Sequence, residues 1–344
     1  MKRLSIAYFM ARHVKSKPAL FKCLISKKGR IVSDSGISMD VNPESYKHFL
    51  QIYAYLWHLN NYGVKVSQKD GTLSTGLFDK SNSFQVKSWR ELENLLGLIY
   101  FSTKYGLELV SEGEPITQKF MRINDGVVEL YDGSRFHLEG AEPGIIAETY
   151  FFRIHDFMDF GKGTMLDVGA AFGDTAIYFA KRGATVFAVE PVNYDLLLAN
   201  VKLNPDISKR IRPIRAALGN VGEMVFHYNA GAFDGGASAF NKTGPGTVTV
   251  KSYSISSLIK ELGLKGVDYL KIDSKGGENL LTAEDLKLVN SFLKIEYSAK
   301  ASSEVQNLLD LIKGAGFQAN ILLHSPEATG NMRYHATIYA RRNR

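Results

Sequence analysis

Apolar positions in the second half of the chain come in short continuous runs, each followed by a turn and then by apolar residues at helical spacing. The runs are Met165–Val168, Thr185–Val189, Ile211–Ala217, Val267–Asp273 and Phe292–Tyr297, with two more near 317–323 and 334–341. Runs this short and this apolar suit strands covered on both faces. The segments between them predict helices over 174–181, 194–203, 254–262, 277–289 and 302–315. Repeated strand and helix in this order predicts an α/β fold. Met224–Tyr228 and Thr247–Lys251 flank the glycine-rich Gly231–Ser238 and predict a hairpin insertion.

The first half shows other patterns. Phe21–Ile25 is expected to be a strand and Lys28–Arg30 a turn, and Pro43–Asn60 and Ser88–Tyr105 have helical spacing of aromatic and leucine residues. The polar stretch Ser67–Ser83 predicts a loop or hairpin. From Ile116 the pattern changes: Phe120–Ile123, Val127–Leu130 and Arg135–Leu138 are separated by Asp125-Gly126 and Asp132-Gly133, which fits two hairpin turns. Pro143–Phe160 is expected to be a helix leading into the next strand. These changes place an accessory α+β region at 1–115 and a second domain at 116–344.

Composition narrows the classes. A chain of 344 residues exceeds one ordinary core, and no apolar run has the length of a membrane span. Cys23 is the only cysteine, which excludes an intrachain disulfide and a thiolate zinc cluster and fits a reducing compartment. A cytoplasmic protein is expected. Leu4–Met10 is too short, and too closely followed by Arg12, His13 and Lys15, for a secretory signal. Charge is placed unevenly: residues 1–33 hold nine Lys or Arg and no acid, leaving 33 basic against 35 acidic residues elsewhere. Such a segment suits an anionic membrane surface, with peripheral attachment, or RNA. A solvated basic face is the plain alternative.

Candidate chemistry is concentrated in Thr164–Ala180, which passes from an apolar run through a glycine turn to an amphipathic helix. Gly169 and Gly173 let the backbone turn, and Asp174 can cap the helix. Their Gly-x-x-x-Gly spacing is not the Gly-x-Gly-x-x-Gly of a pyrophosphate loop, which disfavours a dinucleotide. Glu190-Pro191 ends the next strand about twenty residues on, where doubly wound folds contact a ribose diol.

These residues resemble the class I S-adenosylmethionine-dependent methyltransferases in Asp167, Gly169, Gly173 and Glu190. They resemble the FkbM family more closely still, through Leu166-Asp-Val-Gly-Ala-Ala-Phe-Gly-Asp174, Val189-Glu-Pro191 and Leu270-Lys-Ile-Asp-Ser-Lys-Gly-Gly-Glu278. The resemblance implies a Rossmann-like, seven-stranded, mostly parallel sheet with helices on both faces and one reversed strand near the end. It implies S-adenosylmethionine as cofactor, bound by Asp167, Gly169, Ala170, Gly173, Asp174, Glu190 and Pro191, and O-methylation of a small-molecule or glycan acceptor such as a sugar or glycolipid.

Asp273 ends an apolar strand beside paired glycines, at the edge where open α/β sheets bind ligands, and is the expected base or orienting group. Glu278 and Glu296 are further candidate catalytic acids, and His227 and Lys271 are candidates for handling a proton. No metal site is expected. The chain departs from the family pattern at Lys275, where a glutamate is usual, and at Ile255-Ser256, where Leu-Asp is usual. Those departures motivate a non-catalytic cofactor-binding or scaffolding module as one alternative; the basic N-terminus motivates an RNA methyltransferase as another.

Overall fold

A computed structural model of the chain describes residues 2–43, 45–77, 80–156, 162–229, 244–274, 276–299, 301–324 and 334–343. The chain forms two compact units, Met1–Arg153 and Ile154–Arg344.

In the first unit two amphipathic helices, Tyr46–Asn61 and Trp89–Tyr105, pack together and bury Phe49, Ile52, Leu56, Leu92, Leu95 and Leu96; His48 meets Trp89, and Tyr55 and His58 meet Tyr100. The second is capped at both ends, by the Ser88 hydroxyl accepting from Glu91 N and by Gly106 in the left-handed region. The polar stretch expected to be a loop or hairpin is a three-stranded antiparallel sheet, Lys65–Lys69, Thr72–Leu77 and Lys80–Gln85.

The change of pattern at Ile116 falls inside this unit rather than between units. Phe120–Asn124 pairs in parallel with Glu108–Val110, and Asn94 Nδ2 on the second helix donates to Leu138 O and Glu139 O. Those bonds tie residues 108–139 to the helices before them.

Two expected elements differ. Phe21–Ile25 lies in a helix, Lys17–Ser26, because Ser16 Oγ accepts from Ala19 N, Pro18 sits in the first turn, and Leu20 and Cys23, one turn apart, are buried. The helix expected over 143–160 is a short one, Pro143–Ile146, continued by a π-helical turn, Ala147–Phe151, and ended by Arg153 in the left-handed region at φ 54°. Residues 157–161 lie outside the described ones.

The second unit is built on strands β1 (Thr164–Val168), β2 (Thr185–Val189), β3 (Ile211–Ile214), β4 (Val267–Ile272), β5 (Val289–Ala299), β6 (Phe317–His324) and β7 (Tyr334–Arg342). Their order is 3-2-1-4-5-7-6, parallel except for β7, which runs against both its neighbours. Helices α1 (Asp174–Lys181), α2 (Tyr194–Lys202), α3 (Ile255–Glu261), α4 (Ala283–Lys287) and α5 (Ser302–Gly314) connect them. The sheet is the expected mostly parallel one with a late reversed strand.

Strand alternation assigns its two faces. Leu166, Val168, Leu270, Ile272, Leu293 and Ile295 point to one side and pack with Ile255, Leu258, Val305 and Leu308 of α3 and α5. Tyr269 points to the other, where Phe179 of α1 meets it at 6.4 Å between ring centroids.

Local departures have local causes. Ile211–Ala217 is split: Ile211–Ile214 joins the main sheet, while Ala216–Leu218 pairs with Gly246–Tyr253, which also pairs antiparallel with Gly222–Tyr228. The last pair is the expected hairpin; Gly231–Ser238, between its strands in sequence, lies outside the described residues. The helix expected over 277–289 is a 3-10 turn at Gly277–Leu280 and then α4, restarted by a capping box between Thr282 and Asp285. Among the described residues no helix is long and apolar enough to cross a membrane.

Leu270 is fully buried between two neighbouring strands, so Leu270→Ala is expected to destabilise the chain by about 2–5 kcal/mol. Urea unfolding measures this, and an unchanged midpoint would contradict the packing.

Candidate active site

The sheet's register brings the candidate residues into two rows on the face covered by α1. Asp167 pairs with Lys271, and Lys271 with Lys294, across β1, β4 and β5. Two residues further along each strand, at the carboxyl edge, come Gly169, Asp273 and Glu296. Glu190 occupies the matching position beyond β2, where Ala188 is the partner of Asp167. A row of carboxylates at the carboxyl edge therefore lies directly above a row containing two buried ammonium groups.

Lys271 is the centre of this arrangement. Its Nζ lies 3.1 Å from Asp167 Oδ1 and donates to Gly169 O at 2.8 Å. Burial works against its charge, but Asp167, Asp273, Asp174 and Glu296 outweigh that and hold its pKa above the ordinary lysine value. Asp167 is fully buried, which pushes its carboxyl up, while Lys271 and Lys294 oppose the shift. The net direction for Asp167 is up, because burial outweighs the two ammonium groups. Lys294, 1% exposed, donates to Glu296 Oε1 at 2.8 Å.

The glycine loop needs its glycines. Gly169 has φ 77°, and a side chain there would begin 2.0 Å from Asp273 O. Gly173 has φ 93°, with Leu197 in the way of any side chain. Ala171, between them, also takes a left-handed conformation at φ 51°, which costs a non-glycine residue energy. The strain is offset by fixed partners: Gly169 N and Ala170 N both donate to Val189 O, and Ala171 N to Glu190 Oε2 at 2.9 Å.

Glu190 also accepts from Val192 N and Asn193 N, both at 2.9 Å, and from Asn193 Nδ2 at 3.4 Å. Burial raises its pKa and the backbone amides pull it back. Glu190, expected to touch a ligand, thus also holds the loop, and Asp167 is paired with the lysine that fixes the loop's start. Pro191 starts the loop that Glu190 ties down. Asp174 opens α1, buried, with Thr175 Oγ1 donating to it.

Other candidates fall differently. Asp273 N donates to Val168 O, fixing the start of the turn after β4 at the sheet edge. Glu278 is taken up by that turn: Oε1 accepts from Ser274 N at 2.7 Å and Oε2 from Gly276 N at 2.6 Å. It is a buried turn clamp rather than a free acid. His227 is on the hairpin strand Gly222–Tyr228, in a sheet separate from the one that carries both rows. Lys275 lies outside the described residues, and Ser256 sits at the start of α3 with its backbone amide donating to Asp285. Among the described residues no group of three or more His, Cys, Asp and Glu could hold a metal ion.

Sequence reasoning missed Lys294 and underrated Lys271. One signal was present: Leu-Lys-Ile-Asp at 270–273 is repeated as Leu-Lys-Ile-Glu at 293–296, and the two tetrapeptides lie in register on adjacent strands. It also missed His155, 2% exposed, which lies near Tyr178 and Phe179 of α1 with Nδ1 unpartnered among the described residues. Burial, then Lys294, Lys271 and Arg182, push its pKa well below 6.5.

A model of the methyltransferase FkbM domain matches residues 167–319, which span both rows. Similar solved structures include precorrin-6y C5,15-methyltransferase from Geobacter metallireducens GS-15 (11% identity, 59% of this chain and 88% of that one, TM-score 0.34). Another is the METTL16 MTase domain (10% identity, 84% and 91%, TM-score 0.41). A third is 1,6-didemethyltoxoflavin-N1-methyltransferase from Burkholderia thailandensis, with bound 1,6-didemethyltoxoflavin and S-adenosylhomocysteine (15% identity, 58% and 79%, TM-score 0.33). The fold assignment rests on the strand order, not on these likenesses. No curated protein matches the chain.

Two outcomes are expected. Lys271→Met leaves Asp167 buried without its cation and should cost about 3–5 kcal/mol in urea unfolding; adding Asp167→Asn should recover much of that loss. Equal losses in the single and double variants would contradict a coupled pair. The second concerns His155, whose folded pKa is depressed. The unfolded state then binds the extra proton, so stability should fall as pH drops below about 6.5, by at most ~1.4 kcal/mol per pH unit. His155→Leu should remove that part of the slope, and an unchanged slope would show that His155 is not the group responsible.

Proposed function

We propose, for a chain whose residues 167–319 belong to the FkbM methyltransferase family, that the edge formed by Gly169–Gly173, Glu190, Asp273 and Glu296 binds S-adenosylmethionine and methylates a hydroxyl of a sugar, glycolipid or related metabolite. The observation that carries this reading is the strained glycine loop, clamped between Lys271 and Glu190, with Asp273 beside it at the carboxyl edge of the sheet. When bound, the cofactor supplies a methyl group on a sulfonium. The residues present fit it: glycine at 169 lets the loop lie against Asp273 O, where a side chain would begin 2.0 Å away, and carboxylates suit a ligand carrying an ammonium group and a diol.

Each residue then has a distinct role. Glu190 already has four donors, so a ribose diol takes the place of the Asn193 side-chain amide, the longest of them. Asp167 acts through Lys271, which fixes the carbonyl of Gly169, and so shapes the loop without touching the ligand. Asp273 orients the acceptor hydroxyl and takes its proton as the oxygen attacks. Lys271, two residues before it, interacts with it electrostatically. A positioned base of this kind is worth roughly 10²–10⁴ in rate, and alignment of donor and acceptor supplies the rest.

A second reading, a cofactor-binding module without catalysis, is motivated by Ser256 and Lys275, which stand where the family pattern has acids. Labelled S-adenosylmethionine screened against sugars, glycolipid extracts and RNA separates the readings. Transfer to a sugar or glycolipid is the expected result, transfer to RNA would replace that acceptor class, and binding with no transfer to any acceptor would favour the module.

Calorimetry is expected to show S-adenosylhomocysteine binding in preference to NAD, with affinity lost in Glu190→Ala and Asp167→Ala. Equal or tighter NAD binding would overturn the cofactor reading. Asp273→Asn should lower transfer by ~10²–10⁴ with cofactor affinity within a few-fold, and full activity in that variant would move the base elsewhere.

A further inference from the structure

The helix Lys17–Ser26 in the first unit is anchored on one side only. Leu20 and Cys23 are buried, while Phe21, Leu24 and Ile25, at the i, i+3, i+4 spacing of the opposite face, are 68%, 36% and 69% exposed. Three adjacent large apolar side chains in water are unusual on a surface helix and mark a contact. Lys15, Lys17, Lys22, Lys27, Lys28 and Arg30 around them are also exposed, and residues 1–33 contain no acid to neutralise them.

We propose that this helix is a membrane-docking face, laying Phe21, Leu24 and Ile25 into the interface of an anionic lipid bilayer while the surrounding lysines meet the headgroups. The combination is what decides the partner. An interfacial helix needs both an apolar face and cations beside it, whose stems run along the apolar surface while the ammonium groups reach the phosphates. RNA would engage the cations but has no use for Leu24 and Ile25, which neither stack on bases nor donate hydrogen bonds. A second copy would bring two acid-free basic segments together, and like charges oppose that contact. The helix is preformed by its Ser16 cap and by Lys27 in the left-handed region, with Lys27 Nζ lying over the Tyr46 ring at 5.9 Å, so docking needs no folding step.

The proposal is independent of methyl transfer and is tested by flotation of the full chain with phosphatidylcholine vesicles, with and without phosphatidylserine. Binding is expected to the phosphatidylserine vesicles and to weaken with salt. Phe21→Ser with Ile25→Ser should lower partitioning by about tenfold or more, and Lys17→Glu with Lys22→Glu should do likewise. All four sites are exposed, so thermal unfolding and S-adenosylhomocysteine affinity should stay those of the parent chain. Phe21→Trp keeps the apolar face and should report insertion by a blue-shifted emission. Absence of vesicle binding at low salt would overturn the proposal. So would loss of binding in the lysine variant with full retention in the serine variant, the mark of a polyanion site such as RNA. A dimer in sedimentation that the serine variant dissolves would assign the face to a second copy instead.

Discussion

One buried ammonium group organises the second unit. Lys271 reaches from the middle of a fully covered strand to a carboxylate on the next strand and to the carbonyl of the residue that begins the glycine loop. Taking such a pair out of water costs several kcal/mol per ion, and an apolar pair of similar volume often serves stability as well or better. Stability alone is therefore a poor reason for it. What an apolar pair cannot do is hold the carbonyl of Gly169 and charge the edge of the sheet at the same time.

The electrostatics arise from register. Parallel pairing puts Asp167, Lys271 and Lys294 in one row and the carboxylates of Asp273 and Glu296 in the next. In a covered sheet, acids at such an edge would repel one another; two ammonium groups one row below oppose that repulsion, and the acids in turn hold the Lys271 charge. The strained Ala171 and the glycines on either side are held by the same set of contacts, since the loop is fixed at one end by Lys271 and at its middle by Glu190.

Much of this was legible in the chain. The short apolar runs marked the strands, and the Gly-x-x-x-Gly spacing marked the turn after β1, because the positive φ at both glycines suits no other residue well. What periodicity left out was anything that depends on which strands are neighbours. Lys271 and Lys294 read as single charges in apolar runs, and only strand order makes them one row with Asp167. Glu278 looked like a free acid because sequence does not show that the Ser274 and Gly276 amides turn back onto it. Phe21–Ile25 looked like a strand because five residues are too few to separate the two periods; the Ser16 cap and Pro18 were the better evidence. The change at Ile116 was real as a change of element type, but Asn94 and the strand Glu108–Val110 tie residues 120–139 to the two helices that precede them.

The central claim is that the loop held by Lys271 and Glu190 is the cofactor site. Hydrogen exchange of the full chain with and without saturating S-adenosylhomocysteine tests it most directly, since amides that close on a ligand exchange more slowly. The account predicts added protection at 168–175, at 189–193 and at 271–274, with the first unit unchanged. Protection confined to other parts of the chain, or none at a concentration where calorimetry shows binding, would contradict it.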